Sequence, residues 1–317
     1  MANDSISAST VNELFVQKLN TPEGIEKVSQ EGSAFIRSKL REVSFARKII
    51  NPQYVTKADL QRSINHDGLV KIVDIEPDSK AMIVNLRGNP DFRYVMGERF
   101  EIPFFMVSSE EFQKTEEELL AYEMPLTEII ERNSVLDIQR MEDENFLATV
   151  DAAITLASGT GNPGTTVTGS YADATASEAG SIPKSGVKDL FDSLDGNQLR
   201  CDTLLMDSTM FNRLFLYDAT TVGDAVGSEV HVNGYSYATL FGRKLVVSNK
   251  KVKQDGTDLL NNKIYAFTAP DFLGQFLVLN DTKFFIEKRK NIITWAAYET
   301  IGMGIGNTNS CAALTLS

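Results

Sequence analysis

Residues 107–154 read VSSEEFQKTEEELLAYEMPLTEIIERNSVLDIQRMEDENFLATVDAAI. Ser108 and Glu111 have the spacing of a capping box, which predicts a first, short helix in this stretch. Pro125 suits the first position of a second helix, which the apolar pattern extends to Ala157. At 1.5 Å per residue the second helix would be about 50 Å long, against about 30 Å for a compact domain. The pattern therefore predicts a strut in a thin, extended subunit.

Apolar side chains fall on two sides of this predicted strut. One stripe contains Ile129, Leu136, Leu147, Val150 and Ile154, and the opposite side carries Ile138 and Met141. The acidic runs in the same helix are typical of solvated faces. Asp143 is the exception, because it falls near the apolar stripe. A buried pair between Asp143 and an Arg or Lys from a neighbouring element is therefore an alternative for this residue.

Extended segments precede the helices. Residues 69–75 and 80–86 are rich in Val, Ile and Leu and predict two antiparallel strands, and residues 92–96 and 99–107 predict a second pair. A two-stranded hairpin is only marginally stable in water, so its apolar residues need another surface. Residues 158–186 are a loop-prone segment of small residues. Mixed helices and strands follow to the C-terminus, which makes the predicted fold class α+β.

Composition and charge restrict the function. The chain has 317 residues and a net charge of −12, and residues 101–151 hold 14 acidic against 3 basic side chains. Such a surface repels phosphate, so we expect no sequence-specific DNA binding, although DNA could be enclosed without being gripped. No apolar run approaches the roughly 18–20 residues of a membrane helix, and no secretory signal pattern opens the sequence. Cys201 and Cys311 stand far apart, as in a chain that folds in a reducing cytoplasm.

The motifs that could carry chemistry are weak. Residues 159–164 match G-x-G-x-x-G, but they leave a helix and enter a loop, whereas a dinucleotide site leaves a strand and enters a helix. His66 and His231 lie in predicted loops without a second metal ligand nearby. Lys288, Arg289 and Lys290 are best interpreted as the charged face of a strand. We therefore predict neither a catalytic residue nor a bound cofactor or metal.

The order of the parts resembles the major capsid family of tailed bacteriophages, whose fold is shared with encapsulins. The resemblance lies in the spine sequence quoted above, in LLMDSTMFNRLFLYD (204–218), and in LFGRKLVVSNK (240–250) with NKIYAFTAPDFLGQFLVLNDTKFFIEK (262–288). It implies an N-terminal arm at 1–31, the start of a peripheral domain at 32–54, an E-loop hairpin region at 55–106, a peripheral domain with spine helix and following loop at 107–186, an axial domain at 187–280, and a return through the peripheral domain to a C-terminal strand at 281–317.

The resemblance also implies a function. It predicts a non-enzymatic major capsid protein that forms hexamers and pentamers of an icosahedral shell around phage DNA, in a virion assembled in the host bacterial cytoplasm. A separate scaffolding protein, a portal protein and, as an option, a decoration protein are the expected partners. The hairpin would contact a neighbouring subunit through Val70, Lys71, Ile72, Asp74, Lys80, Ile83 and Arg87. An encapsulin-type compartment with the same fold and a soluble enzyme are the alternatives.

Overall fold

Two β-sheets and one long helix organise the chain. The computed structural model describes residues 8–63, 67–75, 83–84, 94, 97–121, 126–159, 166–169, 182–214, 239–248, 257–260 and 262–316. The helices are α1 (Ala8–Leu19), α2 (Pro22–Val43), α3 (Ala46–Ile49), α4 (Glu116–Leu120), α5 (Leu126–Gly159), α6 (Lys184–Asp195), α7 (Ser208–Arg213) and α8 (Pro270–Leu273). Short 3₁₀ turns lie at Lys57–Asp59 and Thr308–Ser310.

The strands divide between the two sheets. They are β1 (Pro52–Tyr54), β2 (Gln61–Arg62), β3 (Leu69–Ile75), β4 (Glu98–Ser108), β5 (Phe112–Thr115), β6 (Thr166–Gly169), β7 (Thr203–Asp207), β8 (Thr239–Leu240), β9 (Arg243–Ser248), β10 (Lys263–Phe267), β11 (Gly274–Arg289), β12 (Ile292–Ile305) and β13 (Cys311–Leu316). The first sheet has the order β1-β11-β12-β4-β3-β2, with β5 also paired to β12, and the second has the order β6-β13-β10-β7-β9-β8.

The long antiparallel pair β11 and β12 forms the centre of the first sheet. Ile293, Trp295, Ala297 and Ile301 on β12 are buried, and the residues between them along most of the strand are only half-buried. Because successive side chains of a strand point to opposite faces, this alternation gives the sheet an inner and an outer face. The inner face packs against α1, α2 and α5 in one hydrophobic core, in which Phe15 of α1 stacks on Trp295.

The predicted spine helix is confirmed as α5, but the predicted buried face is wrong in the first half of the helix. Leu147, Val150 and Ile154 are buried as expected. Leu136, however, is 53% exposed, and Ile138, which we placed on the opposite side, is fully buried. Because each residue turns an α-helix by about 100°, the buried face that includes Val135 and Ile138 leaves Leu136 pointing outwards. The core therefore lies on the Ile138 side in the first half of the helix.

This difference gives a matched pair of substitutions. Leu147→Asp should cost about 3–5 kcal/mol of unfolding free energy, because it places an unpaired charge in the core. Leu136→Asp should change the unfolding free energy by no more than about 0.5 kcal/mol, as is usual at exposed positions. Urea unfolding of both variants measures the difference. Equal destabilisation by the two substitutions would contradict this orientation of the helix.

In the second sheet the chain changes from strand to helix at Asp207. All five residues of β7 are buried, and the Asp207 carboxylate accepts a hydrogen bond from the Thr209 N–H at 3.3 Å, which caps α7. Leu190 of α6 and Phe211 of α7 pack on one face of this sheet. Tyr265 on the other face belongs to the same core as α5. The spine helix thus packs against both sheets.

The helix predicted from Ser108 and Glu111 begins later than expected. Ser108 is the last residue of β4, and β5 pairs with Ile292–Trp295 of β12 before α4 starts. A capping box is present seven residues further on, where Thr115 Oγ1 accepts from the Glu118 N–H and the Glu118 carboxylate accepts from the Thr115 N–H. Pairing with β12 therefore overrides the local capping signal at Ser108.

The N-terminal helices are docked on the chain's own sheet. Val16, Leu19 and Val28 lie in the core that contains the spine helix. The Phe284 N–H donates to the Ser33 hydroxyl at 2.8 Å, which ties α2 to β11. Helix α2 runs continuously across residue 31, where the resemblance places the end of the arm. The proposed domain boundaries remain predictions.

Candidate functional site

A two-stranded ribbon leaves the first sheet at the end opposite β1. Strand β3 pairs with β4 in antiparallel register from Val70 opposite Pro103 to Ile75 opposite Glu98. The sequence predicts residues 80–86 as the partner of β3; of these, only Ile83 and Val84 are described, and neither belongs to a strand. The described partners of β3 are β4 along its length and β2 at its start. The ribbon is thus built from β3 and the first half of β4.

The predicted contact residues occupy different environments. Val70 is buried within the chain's own structure. A neighbouring subunit therefore cannot contact its side chain in this conformation. Lys71 and Ile72 are half-buried, and Asp74 is exposed and accepts a hydrogen bond from Arg99 Nε at 2.7 Å. Ile83 is fully exposed. Lys80 and Arg87 lie outside the described residues.

The base of the ribbon is fixed by a small hydrophobic cluster on the outer face of the first sheet. Val55, Ile102 and Leu277 are buried there, and Phe104 packs against them. Ile102 lies so close to β12 that a Cβ atom at Gly304 would be 2.7 Å from its side chain. Glycine at this position therefore permits the close approach of the two strands. The ribbon leaves the sheet from a defined anchor.

Beyond this cluster, the outer face of the first sheet is open. Phe285 lies opposite Ala296, and Met106 lies opposite Thr300, so these side chains share one face with Tyr298. Phe285 is 50% exposed and Met106 is 68% exposed. The strands thus present an apolar strip that the described part of the chain does not cover. Surfaces of this kind are typical of protein contacts.

An open groove of about 740 Å³ lies beside the base of the ribbon. Ile75 and Phe100 of the ribbon form one side, and β1, Phe272 and Gln275 contribute to the other. Asp271 is the one ionisable side chain among the described residues that line it. The groove therefore offers apolar contacts and a strand edge rather than a general acid–base pair.

A buried ionic cluster joins α3, α5 and the first sheet. Arg47 Nε is 3.0 Å from both carboxylate oxygens of Glu142, and Arg47 Nη2 also bonds Glu142. The same Nη2 lies 3.1 Å from Glu299 Oε2, which accepts the Thr282 hydroxyl at 2.8 Å. Arg47, Glu142 and Glu299 are all at least 95% buried. We name Arg47, Glu142, Thr282 and Glu299 the α3 junction.

The residue beside Glu142 makes several hydrogen bonds. Asp143 is buried, as its position near the stripe suggested, and its pairing with an Arg or Lys stays a prediction. Its Oδ1 accepts from the Ser44 hydroxyl at 3.0 Å and the Ala46 N–H at 3.1 Å, and its Oδ2 accepts from the Gln139 amide at 3.0 Å. Arg47 pairs with the neighbouring Glu142. Asp143 thus fixes the start of α3 through hydrogen bonds.

Sequence reasoning missed Glu299, although a signal was present. Glu299 falls in step with Trp295, Ala297 and Ile301, which are inward-facing residues of β12. A carboxylate at an inward position of a strand requires a buried partner. The alternation therefore contained the information, but the sequence could not identify Arg47 as the partner across 252 residues.

The electrostatics of the α3 junction follow from its burial. Burial, repulsion from Glu142 and a hydrogen-bonding contact with Glu142 raise the pKa of Glu299 well above the usual range of a glutamate, and attraction to Arg47 only partly offsets them. Burial acts to lower the pKa of Arg47, but the hydrogen bond and attraction to Glu142, with smaller contributions from Glu299 and Asp281, raise it overall. Arg47 therefore remains charged at every pH at which the protein is folded.

A second perturbed carboxyl lies where α2 meets α5. Burial, followed by repulsion from Glu128 and Glu31, raises the pKa of Glu131 from 4.5 to about 7. Because the folded pKa exceeds the unfolded one, this group's contribution to stability is present below about pH 4.5 and is lost as the pH rises through 7.

Glu131→Gln should therefore show a smaller fall in melting temperature between pH 5 and 8 than the parent protein. Glu13→Gln, at an exposed position on α1, should leave the parent slope unchanged, and equal slopes for all three proteins would contradict the assignment.

The reactive side chains offer little chemistry. Cys201 and Cys311 are buried free thiols, and burial raises the pKa of each to about 12. His66 and His231 lie outside the described residues, as do residues 160–164 of the glycine motif, whose Gly159 ends α5. Lys288 pairs with Glu116 at 3.0 Å and donates to Asn20 at 2.6 Å. Within the described ranges, no group of three or more potential ligands is placed to hold a metal ion.

No described helix is both long enough and apolar enough to cross a membrane.

The sequence matches no family model, and no curated protein matches it significantly. Solved structures share its fold. A structure from Mycobacterium phage Bobi is 9% identical, with a TM-score of 0.58, over 87% of this chain and 91% of that chain. The asymmetric unit of the bacteriophage PhiM1 mature capsid is 13% identical, with a TM-score of 0.56, over 86% and 87% of the two chains.

The capsid structure of the Cyanophage P-SCSP1u gives a similar match, with 13% identity and a TM-score of 0.55 over 78% of this chain and 83% of that chain. These matches span most of both chains in each comparison. The chain therefore shares its fold with chains of phage capsid structures, which confirms the predicted α+β architecture.

Proposed function

We propose that this chain is the major capsid protein of a tailed bacteriophage and builds the icosahedral head that encloses the phage DNA. The observation that carries the proposal is the whole-chain match to phage capsid structures, which extends over 86% of this chain for the PhiM1 capsid. A fold alone does not determine function, but the surfaces support the same conclusion. The 34-residue spine helix, the ribbon and the open apolar strip all favour lateral contacts between copies.

The contacts follow from the exposed surfaces of one chain. The ribbon of one subunit would cover the strip around Phe285 and Met106 on the next, where apolar burial contributes about 25 cal/mol per Å². Lys71, Ile72, Asp74, Lys80, Ile83 and Arg87 remain the proposed contact residues on the ribbon, whereas Val70 supports it from within. Repeating one such contact around symmetry axes gives hexamers and pentamers. Many weak contacts then close a shell.

Charge supports a shell that encloses DNA without gripping it. The acidic surplus of residues 101–151 includes every carboxylate of α4 and α5, of which only Glu142 and Asp143 are fully buried. An acidic surface repels the phosphate backbone and disfavours tight or sequence-specific binding. We propose a separate scaffolding protein and a portal protein as partners during assembly in the host cytoplasm, with a decoration protein as an optional partner. The protein would act by assembly and not as an enzyme.

Assembly with the scaffold tests this function. Co-expressed with the scaffolding protein of the same phage, the chain should sediment as large closed particles because lateral contacts are repeated over the whole shell. Sucrose-gradient sedimentation and nuclease-protected nucleic acid in phage-derived particles are the measurements. A chain that remains monomeric or dimeric with the scaffold present would contradict the proposal, and native particles filled with an enzyme would favour an encapsulin-type compartment.

A further inference from the structure

The α3 junction contains more negative than positive groups. Among the described residues, Arg47 is the cation that pairs with Glu142 and Glu299. Its single guanidinium therefore faces two carboxyl groups. Both oxygens of Glu142 accept from Arg47. Only Oε2 of Glu299 accepts a hydrogen bond, whereas its Oε1 is buried and has no hydrogen-bond partner. The two carboxyl groups therefore do not share Arg47 equally.

An ionised Glu299 would be poorly stabilised in this geometry. A buried carboxylate oxygen without a hydrogen-bond donor has lost its hydration, and no protein hydrogen bond replaces it. The neighbouring Glu142 carboxylate repels a second negative charge, and two carboxyl groups in such contact generally hold one proton between them. Asp281, which precedes Thr282, lies close enough to act on Arg47 as a further negative charge. One guanidinium cannot neutralise both glutamates.

We propose that Glu142 and Glu299 hold one proton between them at neutral pH, so that the α3 junction is a proton-binding site that fastens α3 to α5 and β12. The proton lets one carboxyl donate to the other and leaves Arg47 balanced by a single negative charge. Its removal would create a second buried anion beside Glu142. The proposal concerns one folded chain and does not depend on shell formation.

The pH dependence has a definite sign. The folded protein binds this proton more tightly than the unfolded chain, whose glutamates titrate near about 4.3. The stabilisation is therefore complete below that value and is lost as the pH rises through the raised pKa of Glu299. The charged groups that set this pKa are Glu142 on α5, which raises it, and Arg47 on α3, which lowers it. Asp143 on α5 and Asp281 on β11 are the other charged groups near the junction. Alkaline pH should thus loosen the attachment of α3.

The test uses the full chain with Glu131→Gln as the parent, because the pKa of Glu131 is about 7 and its titration would overlap. Glu299→Gln is then added, since an amide can accept from Arg47 and Thr282 and donate to Glu142, as the protonated acid does. Glu287→Gln, at an outward position on β11 paired with Arg289, is the matched control. Melting temperatures are measured from pH 6 to 9, and infrared spectra of the parent and the variants are recorded at pH 7.5.

The expected result is a melting temperature that falls with rising pH in the parent and in the Glu287→Gln control, and falls clearly less in the Glu299→Gln variant. The parent spectrum should contain the carbonyl band of a protonated carboxylic acid, which Glu299→Gln removes. Equal pH slopes together with no such band in the parent would overturn the proposal, because Glu299 would then be an ionised partner of Arg47. If Glu299→Gln does not fold, the infrared spectrum of the parent decides alone, and absence of the acid band again overturns it.

Discussion

Replacing Arg47 by alanine should cost about 3–5 kcal/mol of unfolding free energy and leave much of the protein insoluble. The substitution removes the only described cation bonded to Glu142 and Glu299, so a negative charge remains buried without a partner. It also removes the contact of the guanidinium with the Phe276 ring, whose centre lies 5.7 Å away. Since a folded domain is stable by only about 5–15 kcal/mol, the effect is large. Urea unfolding of the soluble fraction measures it.

Arg132→Ala provides the matched control on the spine helix. Arg132 also forms an ion pair, with Glu128 one turn away at 2.5 Å, but both side chains are more than half exposed. Exposed pairs of this kind are worth about 0–1 kcal/mol. Arg47→Lys should fall between the two, because an ammonium keeps the charge but loses the two-pronged contact with Glu142. An Arg47→Ala protein as stable as the Arg132→Ala protein would show that the junction does not hold α3 in place.

Shortening the ribbon should abolish closed particles while leaving the single chain folded. Ile75 and Glu98 lie directly opposite each other, so a two-residue Asn-Gly turn can join them in place of residues 76–97. The anchor formed by Ile102, Leu277 and Gly304 is retained, and we expect a melting temperature within a few degrees of the parent. The shortened ribbon could no longer reach a neighbouring subunit. Melting temperature and particle yield on one preparation measure both effects.

A second variant separates reach from side-chain contacts. Replacing residues 76–97 by 22 Gly and Ser residues keeps the length but removes Lys80, Ile83 and Arg87. We expect this variant to lose particles as well, because the proposed contacts are made by side chains. Normal particle yield from both variants would remove the ribbon from the assembly mechanism. Unfolding of the single chain would instead make these residues part of its own core.

The parts of the fold that could be predicted are those with long local patterns. The spine helix followed from apolar residues at helical spacing between Ile129 and Ile154, and its end lies within two residues of the predicted Ala157. Strand β7 and helix α7 show the same kind of local signal, an apolar run that ends at Asp207, whose side chain caps the helix. In both cases neighbouring residues along the chain carry the signal.

The missed features depend on partners that are distant in sequence. Ser108 and Glu111 form a correct local capping signal, yet pairing of β5 with β12 makes the segment a strand. Leu136 satisfies a helical spacing, but only the position of the sheet decides which face of α5 is buried. The pair between Arg47 and Glu299 joins residues 252 positions apart, and no local pattern contains that information.

Electron cryomicroscopy of particles purified after co-expression with the scaffold tests the central claim most directly. The proposed function predicts a closed icosahedral shell in which this chain forms both hexamers and pentamers. The map should show the ribbon of one subunit on the outer sheet face of its neighbour, beside Phe285 and Met106. Small oligomers without a shell, or a shell whose subunits leave that face and the ribbon without contacts, would contradict the account.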